Sequence, residues 1–94
     1  MATSGVEEAA TKLLEAFYDL SGHNPNVGVP IGAPGEPEPE SAAKVAGLEA
    51  GTTEADVALR YLLNKHFVME GEASAEFRIT VMGIDRVREV RGLG

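Results

Sequence analysis

The sequence predicts a small α+β domain, a helical core carrying a small antiparallel β-ribbon, and three observations support this. In EFRITVMGID, residues 76 to 85, Phe77 and Ile79 alternate with Arg78 and Thr80, the two-residue period of a strand with one wet face. The period then breaks: Ile84, Val87 and Val90 follow at three-residue steps with Arg86, Arg88 and Glu89 between them, which suits a short helix. Upstream, two stretches with apolar residues at helical spacing flank a segment rich in proline and glycine.

The first helix follows Ser4 and Glu7, which form an S-x-x-E capping box. Val6, Ala9, Ala10, Leu13, Phe17 and Leu20 then recur on one side, with Glu8, Lys12, Glu15 and Asp19 on the other, giving an amphipathic helix of about four turns. SGHNP stops it through Gly22 and Pro25. Residues 22–40 hold all five prolines and four glycines, so a flexible connector is expected there. Within it, VGVPI allows a short strand that Pro30 confines to a sheet edge, and GEPEPE reads as extended and polyproline-like.

SAAKVAGL predicts a short helix whose apolar side is Ala42 or Ala43 with Val45 and Ala46, ended by Gly47. Thr53 and Asp56 make a second capped start. The helix that follows places Ala55, Ala58, Leu59 and Leu62 in one stripe and shows Val57, Arg60, Tyr61 and Asn64 on the opposite face, flanked by Glu54 and Asp56. His66 falls where the helix must end, in a turn that calls for a left-handed residue; histidine visits that region more readily than most. Phe67, Val68 and Met69 read as a strand, EGEASAE as a loop longer than a tight hairpin needs, and EFRIT as the returning strand. Thr80 then caps the last helix with its hydroxyl.

Ninety-four residues predict one domain, 1–94, with one modest core built from Leu, Val, Ile and Ala, because aromatics number only five. Cysteine is absent, which excludes a disulfide framework and thiolate metal sites. The opening MATSGVEEAA lacks the basic-then-apolar pattern of a secretory signal, and no apolar run is long enough for a bilayer; a cytoplasmic protein with no membrane association is expected. Net charge is −7, and only residues 57–94, with six basic and five acidic side chains, are not negative. That balance argues against strong non-specific binding to nucleic acid.

Enzyme chemistry finds little support. His23 sits in a turn where solvation is expected, and His23 and His66 lack the spacing of a metal pair. Ser4, Ser21, Ser41 and Ser74 fall in caps or loops without a G-x-S-x-G elbow. GVPIGAPG lacks the lysine of a phosphate-binding loop. No catalytic residue, metal site or cofactor is expected.

The order helix, weak strand, helix, turn, helix, strand, loop, strand, helix resembles a winged helix-turn-helix domain. VALRYLLNKHFVMEGEASAEFRITVMGID is similar to the recognition-helix-and-wing half of that family, with Leu59, Leu62, Phe67, Val68, Phe77, Ile79, Thr80 and Gly83 on the family pattern and His66 where glycine is usual. The resemblance covers residues 52–90; residues 1–51 agree by element order alone. It implies a three-helix core, a small antiparallel β wing and a short C-terminal helix.

By the same resemblance, the exposed face of the second helix of the motif enters the major groove of double-stranded DNA. The candidates are then Thr53, Glu54, Val57, Arg60, Tyr61 and Asn64, with Arg78 on the wet face of the wing strand. Arg60 suits guanine, Asn64 adenine and Tyr61 a phosphate. The resemblance thus implies a DNA-binding module of a transcriptional regulator, weak as a monomer. The alternative is a winged helix for protein contact: Glu54 and Asp56 open the helix, the wing tip EGEASAE carries three glutamates, and Val57 and Tyr61 form an apolar-aromatic spot. A protein partner, or a second copy of the chain paired through the C-terminal helix, is the expected ligand in that case.

Overall fold

A computed structural model describes residues 2–31, 41–47, 53–71 and 76–92, with the side chains of the first helix from Glu7 onward. Helix α1 spans Ala2–Leu20 and is followed by strand β1, Val29–Pro30. Short helix α2 is Ala42–Val45 and α3 is Thr53–Asn64. Strands β2, Val68–Glu70, and β3, Glu76–Ile79, lead into α4, Val81–Val90. The chain is an α+β fold, four helices and one three-stranded antiparallel sheet among the described residues.

Helix α1 is the centre of the packing. Besides Ala9, Ala10, Leu13 and Phe17, it buries Leu14, Ala16 and Tyr18, so burial wraps most of its circumference rather than one stripe. The reason is that α2, α3, α4 and β3 all pack on it. The helix also starts earlier than its capping box implies: Ala2 is already helical, so position 4 lies inside the first turn.

The sheet has the order β1-β3-β2, with Val29 opposite Phe77, Pro30 opposite Glu76, Val68 opposite Ile79 and Met69 opposite Arg78. Proline is tolerated because β1 is an edge. Val29, Val68 and Ile79 are buried, and Phe77 meets Phe17 edge to face at 6.4 Å between ring centres. These side chains meet Leu13, Leu62 and Val87 in one core. Fully burying an aliphatic side chain of this kind stabilises by about 1.5–3 kcal/mol, so the core rests on few large residues.

Helix ends follow backbone chemistry. At the end of α1, His23 N–H bonds Tyr18 C=O (3.1 Å) and Gly22 N–H bonds Asp19 C=O (3.2 Å), the two bonds of a Schellman motif. The end of α3 repeats it: Phe67 N–H bonds Leu62 C=O (3.0 Å) and His66 N–H bonds Leu63 C=O (3.1 Å). His66 takes the left-handed position with φ 62°, where glycine is usual. Thr80 caps α4 by accepting from Gly83 N–H at 3.1 Å, and its hydroxyl donates to His66 C=O. Thr80 N–H also bonds Phe67 C=O (2.9 Å), so one residue ties the α3–β2 turn to the start of α4.

Several local expectations differ from the fold. Thr53 is the first helical residue of α3, and the position before it lies outside the described residues. Val45 is 48 % exposed; α2 is too short to turn it inward, and it packs through buried Ala42 and Ala43 with Ala46 half-buried beside them. Val90 is 44 % exposed, because α4 packs through Gly83, Ile84 and Val87. His23 is not merely solvated: it also has positive φ, and its ring stacks on Tyr18 at 4.0 Å. Of the expected connector at 22–40, residues 22–31 form hydrogen-bonded turns and β1; residues 32–40 and the tip of the β2–β3 loop, 72–75, lie outside the described residues. No described helix is long and apolar enough to cross a membrane.

Candidate recognition surface on the third helix

A helix turns about 100° per residue, and this spacing sorts α3 into two faces. Ala55, Ala58 and Leu62 are buried against α1, with Leu59 half-buried beside them. Thr53, Val57, Arg60 and Asn64 recur at steps of four, three and four residues and stand on the opposite side, all exposed. Val57 is 37 % exposed and is the apolar member of that row. Glu54 and Asp56, in the first turn, are also exposed.

Tyr61, four residues past Val57, stands at the edge of that row, about 40° round the helix from Val57, and its half-buried ring packs against the core. The Lys65 ammonium lies 5.7 Å from the ring centre. Tyr61 faces a groove between α1, the end of α3 and α4, a cavity of about 530 Å³ lined by Lys12, Leu14, Leu62, Phe67 and Arg86 among others. A second hollow of about 450 Å³ shares Tyr61, Phe67 and Arg86 and extends along Lys65, Met82 and Asp85. Sequence reasoning missed this groove, because Phe67 and Tyr61 flank it only through the turn that His66 makes.

Charge on the outward row is largely self-neutralised. Arg60 Nε lies 3.5 Å from Asp56 Oδ2, one helical turn away, both side chains well exposed at 75 % and 61 %. Arg78 on β3 is different. Among the described residues its Nη2 meets the Met69 sulfur, at 3.8 Å, and its Nε is buried without a hydrogen-bond partner. Arg78 is half-buried rather than on a fully wet face, because Met69 lies directly opposite it in the ladder. Arg86 pairs with Glu89 at 3.6 Å on α4.

The best-built polar cluster lies elsewhere. Arg91, which ends α4, bonds Glu15 at 2.8 Å and both Asp19 oxygens at 3.0 and 2.9 Å, and its guanidinium sits 5.2 Å from the Tyr18 ring centre. The hydrogen bonds from Arg91 hold the Asp19 carboxyl below its ordinary range, against a smaller opposing effect of desolvation. Those bonds, to Asp19 first and then Glu15, raise the Arg91 guanidinium in turn. Arg91 thereby clamps α4 to α1, which three-residue periodicity cannot foresee.

No group of three or more His, Cys, Asp or Glu among the described residues is arranged to hold a metal ion. Comparisons with protein families, with curated proteins and with solved structures find no match.

Proposed function

We propose that the chain is a winged-helix module whose recognition element is the outward row of α3, assisted by the β2–β3 hairpin, and that it binds double-stranded DNA as part of a transcriptional regulator. The order of the elements supports the winged-helix reading: two helices, α2 and α3, precede an antiparallel strand pair, β2 and β3. The observation that carries the functional reading is the row Thr53, Val57, Arg60 and Asn64, which is exposed although the other side of the same helix is core. Arg60 and Asn64 are the side-chain types that read guanine and adenine in a major groove.

With a net charge of −7 and acids in the first turn of α3, binding by one copy is weak. Pairing of two copies through α4, whose Val81, Met82 and Val90 are 64 %, 55 % and 44 % exposed, would double the phosphate contacts. Fluorescence anisotropy with a mixed-sequence duplex tests the proposal. Binding is expected to fall steeply with salt, Arg78→Ala to make the dependence of log K on log salt shallower by about one, and Arg60→Ala to cost about 1–3 kcal/mol of binding. Binding that ignores salt, or that neither substitution weakens, contradicts the reading.

A second reading is favoured by the Asp56–Arg60 pair and by Val57 at the centre of the row: the same surface docks a protein. It predicts no response to DNA even at low salt, and a stoichiometric protein complex that Val57→Asp abolishes.

A further inference from the structure

We propose that Asp56 is a positioning residue of the α3 surface, an internal competitor that keeps the Arg60 guanidinium on the helix until a phosphate or a base displaces it. The proposal rests on the DNA-binding reading above. Asp56 stands four residues before Arg60, the favourable orientation for an acid-base pair on a helix, and Nε and Oδ2 are 3.5 Å apart. Arg60 is the cation within the row, and it is already spoken for.

Glu54 provides the contrast. It carries the same charge in the same turn, but six residues separate it from Arg60, which puts the two on different sides of the helix. Removing either acid lowers the negative charge facing DNA by one and weakens the same favourable interaction with the helix N-terminus. Only removal of Asp56 also frees Arg60. Arg78, which no acidic side chain holds among the described residues, makes its contact without this competition and is unaffected by Asp56. The exposed pair is weak, which suits a group that must exchange partners. A phosphate offers a charge-assisted, bidentate alternative, so the exchange runs toward DNA.

The test is a double-substitution cycle on the full chain with a mixed-sequence duplex at low salt. Asp56→Asn and Glu54→Gln are each compared in the wild-type and Arg60→Gln backgrounds. Asp56→Asn is expected to tighten binding about 3- to 10-fold and Glu54→Gln about 2-fold, as an exposed pair and an acid outside that pair respectively allow. In the Arg60→Gln background the two gains become equal. A parallel measurement needs no DNA: the Arg60 Nε–Hε resonance of the free protein moves with Asp56→Asn and not with Glu54→Gln. Equal gains in the wild-type background, or a resonance that both substitutions leave in place, overturn the proposal. If the resonance moves as expected but no variant binds the duplex, the DNA reading fails and the competitor role falls with it.

Discussion

His66 is the residue where sequence and geometry meet most tightly. Its φ of 62° places an ordinary L-residue where a β-carbon is crowded, at a cost of about 1–2 kcal/mol. The Schellman bonds at Leu62 and Leu63 and the bond from Thr80 hold it there. Replacing it by glycine keeps every one of those backbone bonds, so His66→Gly is expected to leave stability unchanged or raise it by up to about 1 kcal/mol, measured by urea unfolding. A clear loss would mean that the imidazole itself contributes. Gly83 behaves oppositely. A β-carbon there would meet the Phe67 carbonyl oxygen at 2.1 Å, a backbone atom that cannot step aside without breaking the turn. Gly83→Ala is expected to destabilise by about 1–3 kcal/mol as an overpacked contact, although alanine favours helices; a thermal melt at or above wild type would refute this.

Among the elements, α4 depends on three separate anchors. Thr80 holds its first turn, Val87 its middle and Arg91 its end. The Arg91 anchor is electrostatic and therefore pH-dependent. Asp19 has a folded-state pKa below its unfolded one, so its contribution is fully present above the ordinary carboxylate range near pH 4 and disappears as pH falls through the lowered value. Arg91→Gln is expected to cost roughly 0.5–1 kcal/mol at pH 7, since the pair is partly exposed and screened by solvent. The cost should vanish toward pH 2, and unfolding curves of both proteins at the two pH values check it. A difference that stays constant with pH would show that Arg91 acts through its packing on Tyr18.

At the scale of the whole molecule, much of the fold was legible from local chemistry. The strand-to-helix switch at Thr80, the edge strand at Val29–Pro30 and the left-handed turn at His66 each follow from rules within a few residues. So does the division of α3 into Ala55, Ala58 and Leu62 inside and Val57, Arg60 and Asn64 outside. What periodicity could not supply was long-range. The wrapping of α1 depends on four partners that meet it from distant parts of the chain. The Arg91 clamp joins residues 72 and 76 positions apart, and the half-burial of Tyr61 depends on where Phe67 lands after the turn. The candidate surface was legible as a row of residue types. Its self-neutralisation by Asp56 needed coordinates, because an acid four residues from a base pairs on some helices and not on others.

On the proposed reading, the outward row of α3 and the adjoining hairpin together contact DNA. An NMR titration of the uniformly labelled chain with a mixed-sequence duplex at low salt tests it most directly. Amide shifts confined to residues 53–64 and 70–78, reversed when salt is added, are expected. Unshifted amides across both segments, or shifts gathered instead around the groove at Tyr61, Phe67 and Arg86, would contradict it.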